Sequence, residues 1–214
     1  MLVDYKFMTD LAEVKKVVIF LHGFGADGQD LISLAEFYAK ELPNTAFYSP
    51  TAPSSTPFGM GYQWFSDNNW TFRDKDGIEK AKNILEEYIN SIVEKHNIEH
   101  KDVAVVSFSQ GTMTSLYSLP RFENKLAGLV AYSGLMMWQE ELEEGNYNKF
   151  PVIFYHGIND EVVPYEGSVQ AEQELEKLGF NDTTVELEEG LEHGISLQGI
   201  QKTTKFLKRI LLTD

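Results

Sequence analysis

Apolar residues along the chain fall into two kinds of run. Residues 17–21, 46–49, 103–107, 126–132 and 152–155 are short, continuous and rich in Val, Ile, Phe and Tyr. They lack the alternation of a half-exposed strand, which predicts strands covered on both faces. A weaker strand is expected at 184–187. Other segments carry a helical period. Over residues 76–95, Ile78, Ala81, Leu85, Tyr88 and Ile92 share one face, with Ile84, Ile89 and Val93 beside them. Over residues 196–212, Ile200, Phe206, Leu207, Ile210 and Leu211 do the same. Weaker helical patterns cover 30–40 and 165–178, and a further helix is expected over 110–119. Alternating strands and helices predict right-handed βαβ units: an α/β fold with a mostly parallel central sheet and helices on both faces. No break in composition marks a linker, so residues 1–214 read as one domain.

The segment 51–75 breaks the pattern. It is rich in Pro, Ser, Gly and aromatics and has no period. A long loop inside a compact α/β chain is commonly a functional one.

The composition narrows the function. The chain has 214 residues, 18 Lys and Arg against 33 Asp and Glu, and a net charge of −15. That excess argues against nucleic acid, whose phosphates need clustered cations, and against anionic membrane surfaces. Acidic runs at 140–144 and 186–189 read as solvated surface. With no cysteine, disulfides, thiolate metal sites and a Cys nucleophile are excluded. The N-terminus lacks the basic and apolar regions of a signal peptide, and no run is long enough to span a bilayer. The expectation is a cytoplasmic protein without integral membrane association.

Three segments carry candidate chemistry. Ser107-Phe108-Ser109-Gln110-Gly111 follows one strand and precedes a helix. A serine on a sharp strand-to-helix turn is a nucleophile elbow, which needs small residues two before and two after it. Gly111 meets that need; Ser107 is small but is not glycine. Asp160, in His156-Gly157-Ile158-Asn159-Asp160, lies just beyond a strand, where an acid can orient an imidazole; it is equally placed to start a turn. His156, at the strand end, reads as structural. His193, in Glu192-His193-Gly194, is the one histidine of five that follows both Ser109 and Asp160. The order Ser, Asp, His is that of α/β-hydrolases.

The loop Leu21-His22-Gly23-Phe24-Gly25-Ala26-Asp27-Gly28 admits two readings. Gly23, Gly25 and Gly28 spell the dinucleotide fingerprint, which also wants an acid at the end of the next strand. That strand ends Tyr48-Ser49-Pro50-Thr51, without one. The other reading makes the loop part of an oxyanion hole, and the missing acid favours it. His96-Asn97-Ile98-Glu99-His100 matches an inverted zincin pattern, but such ligands need a continuous helix. The apolar period stops near Val93, so no metal site is expected.

Together these residues resemble the phospholipase/carboxylesterase family of α/β-hydrolases, the small bacterial carboxylesterases and acyl-protein thioesterases. The likeness spans nearly the whole chain. It rests on the loop at 21–28, Pro50-Thr51-Ala52-Pro53 with Gln63-Trp64-Phe65, the elbow 108–111, Tyr132-Ser133-Gly134, the acid loop 156–164 and Glu192-His193. Ser107 and Thr112 depart from the usual Gly, and Phe24 from the usual Leu. The resemblance implies an α/β-hydrolase fold with no separate cap domain and a serine carboxylesterase. Its substrates would be short- to medium-chain acyl esters, with thioesters and lysophospholipids as other candidates. Ser109, Asp160 and His193 would form the triad, and the backbone N–H groups of Phe24 and Gln110 the oxyanion hole. Trp64 and Phe65 would touch substrate from the 51–75 loop, which also offers Phe58, Met60, Tyr62, Trp70 and Phe72, and Met136 from beyond the Ser133-Gly134 turn. The expected partner is a small acyl ester or thioester, with no cofactor; a homodimer stays open. Two other classes also stay open: a nucleotide-dependent oxidoreductase using Gly23, Gly25 and Gly28, and an inactive binding protein on the same scaffold.

Overall fold

A computed structural model describes residues 2–8, 13–66, 74–138 and 147–212. Trp70, Phe72 and the acidic run at 140–144 lie outside the described residues.

Among the described residues seven strands form one sheet. They are β1 (Asp4–Phe7), β2 (Lys16–Leu21), β3 (Thr45–Pro50), β6 (Val103–Phe108), β7 (Gly128–Tyr132), β8 (Val152–Gly157) and β9 (Thr183–Glu188). The order across the sheet is β1-β3-β2-β6-β7-β8-β9. Only β1 runs antiparallel, against β3; the other pairs are parallel. A two-stranded hairpin, β4 (Ser54–Ser55) and β5 (Tyr62–Gln63), stands apart within the 51–75 segment.

The continuous apolar runs have a direct cause: both faces of the sheet are covered. On one side Val17, Ile19, Val103, Val105, Leu129 and Phe154 meet α3 (Lys75–His96), α4 (Gln110–Ser118) and α5 (Glu166–Lys177). On the other, Val18, Phe20, Ala104, Val106, Val130 and Ile153 meet α1 (Gly28–Ile32), α2 (Ala35–Tyr38) and α6 (Leu197–Leu212). Every strand residue from 17 to 21 and from 103 to 107 is buried.

Two expectations change in detail. The helix expected over 30–40 is two short helices, α1 and α2, broken at 33–34. Strand β1 had no clear apolar signal, because Asp4 and Lys6 interrupt it and form an ion pair at 3.6 Å. At the far end of α3, Asn97 takes a left-handed φ of 52° as the C-cap. The H-x-x-E-H run is therefore broken after its first histidine. His96 Nε2 pairs with the Tyr48 hydroxyl and His100 Nε2 with Asn90 Oδ1, so the two rings serve separate contacts. No helix among the described residues is long and apolar enough to cross a membrane.

Candidate active site

All the candidate residues lie beyond the C-terminal ends of the parallel strands, where loops of an open α/β sheet gather. Ser109 follows β6 directly and starts α4. Its φ of 52° and ψ of −117° are conformations an L-residue rarely adopts, and strain of this kind concentrates at functional sites. Packing beneath the turn enforces it. A Cβ on Gly111 would fall 2.1 Å from the Leu21 carbonyl oxygen, so only glycine lets α4 come this close to β2. Ser107 and Thr112, the two departures from glycine, fit because they pair beneath the elbow. Ser107 Oγ donates to the Val130 carbonyl at 3.2 Å. The Thr112 hydroxyl donates to the Tyr132 carbonyl at 2.8 Å, with Ser107 Oγ a second acceptor at 3.1 Å.

Asp160 and His193 come from adjacent loops stitched by backbone. Ile158 N–H donates to Glu188 O and Asn159 N–H to Leu191 O. The Asn159 side chain accepts from Gly190 N–H. A Cβ on Gly157 would lie 2.1 Å from Leu191 O, so that glycine permits the approach. Its spacing from Asp160 was visible in the sequence, but its contact was not. The Asp160 carboxylate divides its work. Oδ1 accepts the N–H groups of Val162 and Val163 at 2.9 and 2.8 Å, closing a turn. Oδ2 accepts from His193 Nδ1 at 2.7 Å. The other edge of His193 meets Ser109, with Nε2 3.1 Å from Oγ. Burial alone would raise the Asp160 pKa. The hydrogen bonds from His193, Val163 and Val162 outweigh it and hold the carboxyl below its usual range, because they favour the ionised form. The Phe108 ring lies against His193, centroids 4.8 Å apart.

The loop at 22–27 faces the same turn: a Cβ on Gly23 would lie 3.2 Å from Ser109 Cβ. His22, unassigned by sequence reasoning, anchors this loop. Its Nε2 accepts from Ala52 N–H at 2.9 Å, which leaves the proton on Nδ1, 2.7 Å from the Gly23 carbonyl it donates to. Burial pushes the His22 pKa down, against smaller opposing effects of Gly23, Asp27 and Asp30. Gly25 N–H donates to Tyr62 O, and Tyr62 N–H to Ala26 O. The Gly28 N–H is committed to Thr51 Oγ1, so it is not offered to a pyrophosphate.

Trp64 and Phe65 are each 2 % exposed and Met136 6 %; all three belong to the core. Trp64 Nε1–H donates to the His22 carbonyl at 2.9 Å, and its ring packs on the His22 imidazole. The Gln110 side chain also has a role the sequence did not show. Its Oε1 accepts Trp64 N–H at 2.9 Å and its Nε2 donates to Phe65 O at 3.0 Å. The turn at Ser109 thereby clamps the Trp64-Phe65 segment, which in turn holds the loop of Phe24. A cavity of about 640 Å³ opens elsewhere, between β1, the 51–53 turn and α3. None of Ser109, His193, Trp64, Phe65 or Met136 lines it.

A strained serine between a central parallel strand and its helix, on a mostly parallel sheet covered on both sides, defines an α/β-hydrolase fold. Among the described residues no separate cap is present. The chain belongs to the phospholipase/carboxylesterase family, whose sequence pattern matches residues 8–211. It is 28% identical to acyl-protein thioesterase 1 of Candida albicans over 94% of both chains. With acyl-protein thioesterase 1 homolog 1 of Dictyostelium discoideum it shares 29% identity, over 91% of this chain and 90% of that one. The crystal structure of esterase PE8 superposes with a TM-score of 0.88 at 34% identity, covering 98% and 99% of the two chains. The Zea mays acyl-protein thioesterase 2 structure, 22% identical over 99% of this chain and 100% of that one, has a TM-score of 0.80 and shows the shared fold. The protein is accordingly an enzyme, an ester or thioester hydrolase, and the oxidoreductase reading falls away.

Proposed function

We propose that the chain is a single-domain, cytoplasmic serine carboxylesterase acting on short- to medium-chain acyl esters through an acyl-enzyme. One observation carries the reading: an unbroken line of hydrogen bonds from Ser109 Oγ through both nitrogens of His193 to Asp160 Oδ2. His193 Nε2 takes the Ser109 proton as Oγ bonds to the acyl carbon. The leaving alcohol or thiol departs with that proton, and the acyl group stays on Oγ. Water then attacks the acyl carbon, gives its proton to Nε2, and Oγ leaves reprotonated. Asp160 holds Nδ1–H and balances the imidazolium. The oxyanion falls to the backbone N–H groups of Phe24 and Gln110. The latter opens α4, where helix amides lack intrahelical acceptors. Each such donor is worth roughly 10²–10³ in rate.

Trp64 is assigned to holding the oxyanion loop rather than to touching the acyl chain, in keeping with its burial and its bond to His22. Phe65 and Met136, members of the same core cluster as Trp64, are assigned to the acyl-chain side of the site. The relatives named acyl-protein thioesterase make thioesters the second substrate class to test. The experiment is an acyl-length series of p-nitrophenyl esters matched by acyl thioesters, with Ser109→Ala as control. Turnover that peaks at short or medium chains and falls by several orders of magnitude in Ser109→Ala is expected. Near-normal turnover by that variant would overturn the reading.

A further inference from the structure

The Asp160 carboxylate serves two imidazoles, not one. His156, fully buried at the end of β8, places Nε2 3.1 Å from the same Oδ2 that receives His193. Its Nε2 is also 2.9 Å from the Val163 carbonyl. Both neighbours only accept, so the proton on Nε2 is fixed by the partners. With Val162 and Val163 on Oδ1, and His193 and His156 on Oδ2, all four acceptor positions of the carboxylate are filled. On the far side, His156 Nδ1 lies 2.7 Å from Ser168 Oγ, at the start of α5. Ser168 Oγ is in turn 3.1 Å from the Gly134 carbonyl, just beyond β7. Ser168 carries one proton: with a neutral ring it goes to Nδ1, the shorter contact, and the Gly134 carbonyl is left as the competing acceptor.

We propose that His156 is a positioning residue: its Nε2–H holds Asp160 Oδ2 against His193 Nδ1 and tempers the carboxylate's pull on that proton. The inference rests on the triad reading above. A carboxylate that accepts a further N–H is a weaker base toward each partner, since the added donor stabilises its charge. Ser168 strengthens the effect, because a donor on Nδ1 polarises the ring and sharpens Nε2–H. Burial pushes the His156 pKa down, while the Val163 carbonyl and Asp160 push the other way; the ring acts as a neutral donor. The charged or titratable groups acting on it are Asp160, from its own loop, and His193, across from the 191–196 segment. From α5 it meets Ser168, and through that hydroxyl the Gly134 carbonyl beyond β7; neither ionises. Glu161 and Glu192, next to Asp160 and His193 in sequence, are exposed.

The test compares His156→Leu, His156→Gln and Ser168→Ala with the wild type in kcat, KM and the pH profile of kcat/KM, using a neutral p-nitrophenyl ester. His156→Leu removes the donor. Its kcat is expected to fall about 10–100-fold with little change in KM, and its acid limb to move up by roughly half to one pH unit. Gln Nε2–H₂ occupies nearly the place of imidazole Nε2, so His156→Gln should return the acid limb close to wild type. Ser168→Ala, the milder change, should move the limb the same way by less, and it carries the test if His156→Leu does not fold. Unmoved acid limbs in folded His156→Leu and Ser168→Ala would overturn the proposal. So would equal loss in the Leu and Gln variants without a shift. Ser109→Ala separates the two levels: if it retains turnover, the triad reading fails; if it is dead and the limbs stay fixed, only the role of His156 fails.

Discussion

Replacing Gln110 tests how the turn at Ser109 and the loop at 22–27 are held together. The side chain is 2 % exposed and fills two buried backbone valences, Trp64 N–H and Phe65 C=O. Gln110→Met keeps most of the volume and leaves both groups unpaired. An orphaned buried polar group costs about 1–3 kcal/mol, so the variant, with two of them, should lose about 2–6 kcal/mol. For a chain of this size, at about 2–4 °C per kcal/mol, that lowers Tm by about 4–24 °C. The Gln110 backbone N–H is untouched, yet kcat should fall on the order of tenfold, because Trp64 carries the bond to the His22 carbonyl and small misplacements of catalytic groups slow turnover. Gln110→Glu sharpens the test. One oxygen still accepts Trp64 N–H, while the other faces the Phe65 carbonyl. Ionised, that pair repels; protonated, the carboxyl donates an O–H and restores the clamp. The folded state thus raises the pKa of the introduced carboxyl, so stability present at low pH is lost as pH rises. Thermal melts at pH 5 and pH 8, each relative to wild type, read this directly. A Gln110→Met melt within 2 °C of wild type with unchanged kcat would refute the clamp, as would a pH-independent deficit in Gln110→Glu.

Three further outcomes are expected. The buried imidazoles of His22 and His156 have pKa values pushed below 6.5 by burial, so the unfolded chain binds their protons more readily. Stability present above about 6.5 should decline as pH falls toward the folded values, by at most ~1.4 kcal/mol per pH unit for each group; denaturant titrations from pH 7.5 to 5 with a flat midpoint would contradict this. Asp160→Asn presents an amide to His193 Nδ1 and favours the wrong tautomer, so kcat should fall about 10⁴-fold, with stopped assays resolving the residue; a loss under tenfold would speak against the triad. Gly111→Ala forces a Cβ onto the Leu21 carbonyl, and should give insoluble or inactive protein; a soluble variant with normal turnover would show that the elbow tolerates the crowding.

The sheet was legible because both its faces are covered, which writes continuous apolar runs such as 17–21 and 103–107 into the chain. β1 was not, since an edge strand with Asp4 and Lys6 carries no such run. Ser109, Asp160 and His193 stood out through their order and their place after strands. What escaped were side chains that act by holding other groups in place. The His22 ring needs Ala52, the Gln110 side chain needs Trp64 and Phe65, and His156 needs Asp160 and Ser168. Each looked ordinary because its meaning lies in a bond that only the fold closes. The motif marked Trp64; its burial and its indole bond to the His22 carbonyl came only with the fold.

Mass-spectrometric mapping of a serine-directed fluorophosphonate adduct tests the claim that Ser109 is the nucleophile. Folded wild-type protein should carry one adduct, on the peptide containing Ser109, and lose esterase turnover in step with labelling. Ser109→Ala should stay unlabelled. No adduct on the folded wild type, or an equal rate of labelling in Ser109→Ala, would contradict it.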